Sequence, residues 1–451
     1  MTTTASGPAL PGCDVDPIEL LKSRNYVVLL ALGAIVGIPV AAIAYFFLKF
    51  VAESQHFVFV DLPKDLGFAR APIWWPVVPL TLSGLLVALA IRELPGTGGH
   101  RPAEGFKAGG AVPPIELPGI IVASLATLCL GAVLGPEAPL IAIGSGLGVL
   151  AVHLIKKDAP EMASVLVGAA GSFAAVSALL GSPLVGAFLL MEAVGIGGPL
   201  LGVVMVPGLL AAGIGSLVFV GLDHWTGFGT LSLQVPDIPS FGTPTGAEFA
   251  WAIVIGLAAA VVGTGIRRLG LWLQPLVERR SLLFTPIVGL AIGGLAVIFA
   301  QVSGKSSSEV LFSGQSALPS LIQNATEWTA GVLALLVLCK GLAYAASLSS
   351  FRGGPTFPGM FIGAAGGIAL SHLAGLPMIA GVAMGIGAMT VAMLGLPLTS
   401  VLLTSVFLGA DAVPLMPLVI VAVVVSYVLT ARLAPDPAPA APDALVASSS
   451  P

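Results

Sequence analysis

The alternation of long and truncated apolar runs narrows what this chain can become more than any other feature. Runs long enough to cross a bilayer lie near 25–52, 72–91, 118–134, 161–180, 199–221, 247–274, 284–302, 328–347 and 414–433. Others, near 139–155, 183–197, 357–374, 376–393 and 398–410, are shorter and begin or end at Gly and Pro. A helix of about 12 to 16 residues is about 18 to 24 Å long and falls short of the ~30 Å of hydrocarbon in a bilayer. These segments are expected to be half-helices that meet inside the protein. Interrupted backbone survives at membrane depth only where it is buried in protein or lines a wet cavity. With 57% hydrophobic residues, 9% charged residues and a mean hydropathy of +1.04, the chain is expected to be an all-α polytopic membrane protein. Its 57 Gly and 36 Pro suit close helix contact and broken helices.

The polar, Pro/Gly-rich stretch 222–245 separates two hydrophobic halves, 25–221 and 246–433, and both carry the same pattern. GPEAPLIAIGSGLG at 135–148 matches GPTFPGMFIGAAGG at 354–367 in 6 of 14 positions, and ALLGSPL at 178–184 matches AMLGLPL at 392–398 in 5 of 7. The offsets, 354 − 135 = 219 and 392 − 178 = 214, nearly agree, so one unit has been duplicated. Paired repeats with interrupted helices are the mark of secondary transporters and related channels, whose half-helix N-termini converge on one site. Residues 1–24 are polar and read as a cytosolic leader with no cleavable signal peptide; 434–451, rich in Pro, Ala and Ser, are expected to be disordered. Lys22 and Arg24, then Arg92, Arg101 and Lys107, and finally Arg432, favour cytosolic termini and a cytosolic 92–116 loop in a plasma-membrane protein. Lys156, Lys157, Arg267 and Arg268 still need placing. Cys13, Cys129 and Cys339 have no metal spacing and read as packing residues.

A Gly-Pro start to a buried helix leaves backbone N–H groups without intrahelical partners, and these donors, with the positive end of the helix dipole, attract an anion. Three turns have this character: PGTGGH at 95–100, GPEAP at 135–139 and GPTFP at 354–358. The expected cargo is a small anion. Glu137, between two prolines in apolar surroundings, is expected to compete with that anion for the N-terminal donors of its own helix, as a tethered plug that leaves when protonated. Burial and helix termini act on a carboxyl in opposite directions, so the plug is expected to respond to pH. The plain alternative is an acidic first-turn residue complementing a helix dipole at the membrane surface.

These residues together resemble the CLC family of chloride channels and proton-coupled chloride transporters. LGPEAPLIAIG is similar to the family's GREGP segment, GTGGH to GSGIP, GGPTFPGMFIG to GGIFAP, and GSPLVGAFLLMEA to NAPLAGxxFxxEE, in the family's order over about residues 25–433. The resemblance implies a CLC-like fold of two related halves, with Glu137 as gating glutamate and Thr97, beside Gly98, in the place of the central serine that contacts the ion. It implies chloride or another small anion as cargo, protons as a coupled ion in exchangers, and a homodimer with one pore per subunit. Glu192 takes the place of the first of the paired glutamates, and Ala193 stands where exchangers keep the inner proton-transfer glutamate. Pro136 and Pro355 have no N–H to offer, whereas Glu137, Ala138, Thr356 and Phe357 keep theirs. The family's last helix with its pore tyrosine has no counterpart before the tail, which leaves the choice among chloride, nitrate and fluoride open.

Other single residues have two readings. Glu192 is either a proton-path residue or a cap near a helix terminus. Lys340 lies in an apolar run and either lends positive potential to the anion path or extends to the interface. His100 beside the Thr97 turn reads as an ordinary loop histidine; His56, His153, His224 and His372 have no metal spacing. Small-residue faces around GAFLLMEAVGIGG and in 398–433 are a candidate dimer seam. A cation-coupled carrier of organic solutes would need acidic cation sites, and a membrane enzyme a nucleophile–base pair or metal ligands. Neither constellation is present in the sequence, and nothing points to an organic cofactor, a metal or nucleic acid.

Overall fold

The computed structural model describes residues 17–108, 110–195, 199–227, 235 and 241–434. The expected tail and most of the expected leader and connector therefore lie outside the described residues. Fourteen helices of 12 or more residues are described. The first seven are α1 (Arg24–His56), α2 (Val77–Glu93), α3 (Leu117–Cys129), α4 (Glu137–Ile155), α5 (Glu161–Leu180), α6 (Pro183–Val194) and α7 (Pro199–Thr226). The second seven are α8 (Gly246–Arg279), α9 (Ser281–Ser303), α10 (Ala330–Ser350), α11 (Thr356–Ser371), α12 (Met378–Leu394), α13 (Pro397–Leu408) and α14 (Met416–Leu433). Eight helices among the described residues are long and apolar enough to cross a bilayer; the chain is a multi-pass membrane protein.

Three expected lengths change, the first being the run 72–91, which gives α2 of 17 residues and is not among those eight helices. The run 118–134 is not one span, because α3 stops at Cys129 after 13 residues and the chain turns at Gly131, φ 101°, where a Cβ would lie 2.9 Å from the Phe59 ring. The run 139–155 is longer than expected: α4 begins at Glu137 and reaches 19 residues. The remaining short segments, α6, α11, α12 and α13, stay within 12 to 17 residues.

Helix packing repeats between the halves. α4 lies on α5 as α11 lies on α12; α1 contacts α5 and α7 as α8 contacts α12 and α14; α5 meets α6 as α12 meets α13. The second sequence repeat explains the last correspondence. α5 ends on Gly181 at φ 59° and α6 opens with Pro183; α12 ends on Gly395 at φ 71° and α13 opens with Pro397. Glycine takes the left-handed residue after a helix at no steric cost, and proline suits the first helical position, whose N–H has no intrahelical acceptor.

Glycines also set how closely the layers approach. A Cβ on Gly171 of α5 would lie 2.1 Å from the carbonyl oxygen of Gly144 on α4, and one on Gly363 of α11 would lie 2.1 Å from that of Gly385 on α12. Both crossings admit only hydrogen. Gly363→Val is therefore expected to destabilise the fold by about 1–3 kcal/mol through overpacking. Gly366→Val on the same helix, with nothing within 4 Å of its Cβ, carries the same change in helix propensity without the clash. Thermal unfolding in detergent checks the pair, and equal midpoints would remove the crossing from the account.

Candidate anion-binding site

The two repeat turns meet. Gly135 N–H donates to the Gly354 carbonyl at 2.8 Å and Gly354 N–H to the Gly135 carbonyl at 2.7 Å, an isolated antiparallel bridge. These glycines are 219 positions apart, the repeat offset, so equivalent residues pair with each other across a pseudo-two-fold axis. Two flanking bonds follow the same relation to within one residue, their donors 352 − 133 = 219 apart and their acceptors 347 − 127 = 220 apart. Val133 N–H donates to Ser347 Oγ on α10 at 3.0 Å, and Arg352 N–H donates to Thr127 Oγ1 on α3 at 3.1 Å. Pro136 and Pro355 then take nearly the same conformation, φ −85°, ψ −4° and φ −92°, ψ −5°, before α4 and α11.

Glu137, fully buried, crosses this axis. Its Oε1 accepts the N–H of Thr356 at 2.5 Å, and Thr356 is its own repeat equivalent, 356 − 137 = 219. The carboxyl thus engages donors of both halves: its own N–H, as expected, and in addition the N–H that opens the helix of the opposite half. The reason is proximity, since the bridge brings the start of α11 against the start of α4. Room for the carboxylate comes from missing side chains, because a Cβ on Gly354 would lie 2.2 Å from Glu137 Cδ and one on Gly135 2.1 Å from Oε2. Glu137 Oε2 and the Thr356 hydroxyl are buried with no protein partner. Tyr344, also fully buried, donates its hydroxyl to the Pro355 carbonyl at 2.7 Å and steadies the turn.

The third turn arrives from the side. Gly96, Thr97, Gly98 and Gly99 all have positive φ, at 81°, 50°, 74° and 93°, a run that glycine permits and that accounts for the PGTGGH composition. Arg352 Nε donates to the Thr97 carbonyl at 3.2 Å and ties this turn to the bridge. A cavity of ≈ 1420 Å³ opens there, walled by Thr97, Gly98, His100, Ala138, Arg352 and Gly353 among others. The 95–100 and 135–139 turns reach the cavity wall, and the second-half turn borders it through Arg352 and Gly353, just ahead of 354–358. Thr97, Gly98 and Ala138 face the cavity, while Thr356 and Phe357 are buried with Glu137.

Two candidates lie elsewhere. Glu192, near the end of α6, accepts from the N–H groups of Leu398 and Thr399 at 2.9 and 2.7 Å and from the Thr399 hydroxyl at 2.6 Å. It caps the start of α13, the repeat equivalent of its own helix. Lys340 is fully buried on α10, and its ammonium donates to the carbonyls of Glu309, Val310, Leu311 and Phe312 at 2.9–3.4 Å and stands 4.4 Å over the Phe361 ring. It is absent from the cavity wall. Arg352 and Tyr344 were not singled out from sequence; the signal for Arg352 was a lone charge two residues before the repeated glycine.

The fold is that of a multi-pass membrane protein with two half-helix starts paired beside a cavity. The family described as voltage gated chloride channel matches residues 84–431. The chain belongs to that family, the CLC proteins, which carry anions across membranes. Its relatives include YfeO of Escherichia coli O7:K1 (strain IAI39 / ExPEC), assigned by name to ion transport, at 28% identity over 364 residues, 79% of this chain and 82% of that protein. YfeO of Escherichia coli O1:K1 / APEC is 29% identical over 363 residues, again 79% and 82%. The fold is similar to that of a slow cyanobacterial Cl⁻/H⁺ antiporter, with a TM-score of 0.69, 20% identity, and 91% of this chain and 95% of that one covered. A CLC-type fluoride/proton antiporter superposes with a TM-score of 0.66 at 19% identity, over 90% and 96%.

Two outcomes are expected. Glu192→Ala removes three accepted hydrogen bonds from the start of α13 and lowers stability by about 1–2 kcal/mol, read as a lower unfolding midpoint in detergent; an unchanged midpoint would contradict the capping role. Gly354→Ala places a methyl on the Glu137 carboxyl and should drive it off the Thr356 amide, raising anion flux at neutral pH; flux at the wild-type level would show the carboxyl does not block.

Proposed function

We propose that this chain moves small inorganic anions, chloride foremost, along the cavity and past Glu137, whose protonation opens the path. The observation that carries this reading is the Glu137 carboxylate on the Thr356 amide, where a negative oxygen occupies a helix-start donor as a free anion would. Thr97, Gly98 and Ala138 on the cavity wall are assigned to the ion's route, and Thr356 and Phe357 to the donors it meets once Glu137 has left. Protonation removes the charge that holds the carboxyl there, so a proton and an anion exchange at one position and their movements are linked. Glu192, engaged by three donors, is assigned to the fold and not to the proton path, and Lys340 to the support of the 309–312 segment.

The orientation draws on contacts. Arg101 pairs with Glu278 at 3.2 Å, Arg268 donates to the Leu433 carbonyl, and the Gly105 backbone lies beside the Arg267 guanidinium. The 92–116 loop, the end of α8 and the end of α14 thus share one end of the molecule, and we place that basic end in the cytosol, in the plasma membrane. We assign the edge formed by α6 and α13, with Leu184 and Leu398 exposed on it, to a second copy of the chain in a homodimer.

Liposomes loaded with potassium chloride test the reading when chloride and proton movement are recorded together. Wild-type flux should rise as pH falls, Glu137→Gln should conduct chloride with a flat pH profile and no proton movement, and potassium glutamate should give no flux. A Gln variant with the wild-type pH profile would take Glu137 out of the gate, and equal glutamate flux would reject a small-anion path.

A further inference from the structure

Arg352 occupies an unusual position for a cation. Only 7% of it is exposed, and it lies on the cavity wall where the Thr97 turn meets the bridge. Among the described residues no carboxylate lies within ion-pair distance of it. The nearby acids are committed elsewhere, Glu104 to Arg101 and Lys107 and Glu278 to Arg101. The other charged residues on the cavity wall are Lys107, Glu116 and Glu161, and none pairs with Arg352.

A guanidinium taken out of water without a counter-charge is strongly unfavourable, and such groups are held where a negative partner balances them. Arg352 has backbone partners only. Nε donates to the Thr97 carbonyl at 3.2 Å and Nη1 to the Phe351 carbonyl at 3.3 Å. Of the five N–H groups of a guanidinium, these two bonds fix its plane and leave the others, including both of Nη2, for whatever enters the cavity. The repeat makes the residue stand out further. Its equivalent in the first half, 352 − 219 = 133, is the apolar Val133, so the cavity has a buried cation from one half only.

We propose that the Arg352 guanidinium acts on the anion passing the Thr97 turn, and that its fork raises the share of planar oxyanions such as nitrate, relative to chloride, above what a point charge at that place would give. The chemistry lies in the shape of the donor: a guanidinium presents paired, coplanar N–H groups that match two oxygens of one oxyanion, whereas an ammonium acts on any anion as a point charge. The proposal rests on the reading of the cavity as the anion path and adds to it the side chain that discriminates anion shape.

The test compares wild type with Arg352→Gln and Arg352→Lys, each shown monodisperse by size-exclusion chromatography. Chloride and nitrate binding are measured calorimetrically in detergent, and chloride and nitrate efflux in liposomes. The Gln variant, which can still donate to a carbonyl, should lose about tenfold or more in affinity for both anions, in line with removal of a charge-assisted bond. The Lys variant should lower the nitrate-to-chloride ratio in binding and efflux. A monodisperse Gln variant with wild-type affinities, or a Lys variant with the wild-type ratio, overturns the proposal; if the Gln protein is not monodisperse, the Lys ratio decides alone. Wild-type protein that releases neither anion would instead overturn the anion-path reading, a result distinct from either variant outcome.

Discussion

Everything at the centre of this molecule depends on two hydrogen bonds between Gly135 and Gly354. Each bond satisfies a peptide group that a broken helix leaves exposed, and buried peptide groups without partners are costly. The pairing aligns the starts of α4 and α11 and fixes how close they come. It also requires glycine at both positions, since any side chain there would overlap the Glu137 carboxyl. One small bridge therefore sets fold and site together.

Duplication explains the backbone, and departures from it explain the chemistry. The halves share helix order, crossings and the hydroxyl bonds from Ser347 and Thr127, yet their side chains diverge where the axis passes. Glu137 faces Thr356, and Val133 stands where the second half has Arg352. The first half thus contributes the buried carboxyl, and the second half contributes the Thr356 N–H bonded to it and the buried cation. A perfectly symmetric pair would place two carboxylates against each other, and like charges at that separation oppose each other's ionisation.

Much of this was legible in the sequence because it follows from run lengths and from Gly and Pro. Truncated apolar runs announced half-helices, the offset of 219 announced a pair of equivalent turns, and GPEAP announced a carboxylate at a helix start. What was not legible depends on distances between segments far apart in the chain. The Thr356 N–H that Glu137 also reaches belongs to the other half, which no local pattern specifies. Glu192 reads equally as a proton carrier or a cap until Leu398 and Thr399 are seen beside it. Arg352 is a lone basic residue next to apolar sequence, and such a residue reads as an interface anchor unless its burial is known. The break after Cys129 was hidden because Leu130–Leu134 continue the apolar run while the backbone leaves the helix.

The enclosure of Lys340 has a consequence of its own. Four carbonyl oxygens and an aromatic face around one monovalent positive charge are the surroundings a protein would build for a potassium ion, but here the charge is covalently attached to α10. The 309–312 segment, whose Phe312 N–H reaches the Gly131 carbonyl, is in this way held by a donor that cannot diffuse away.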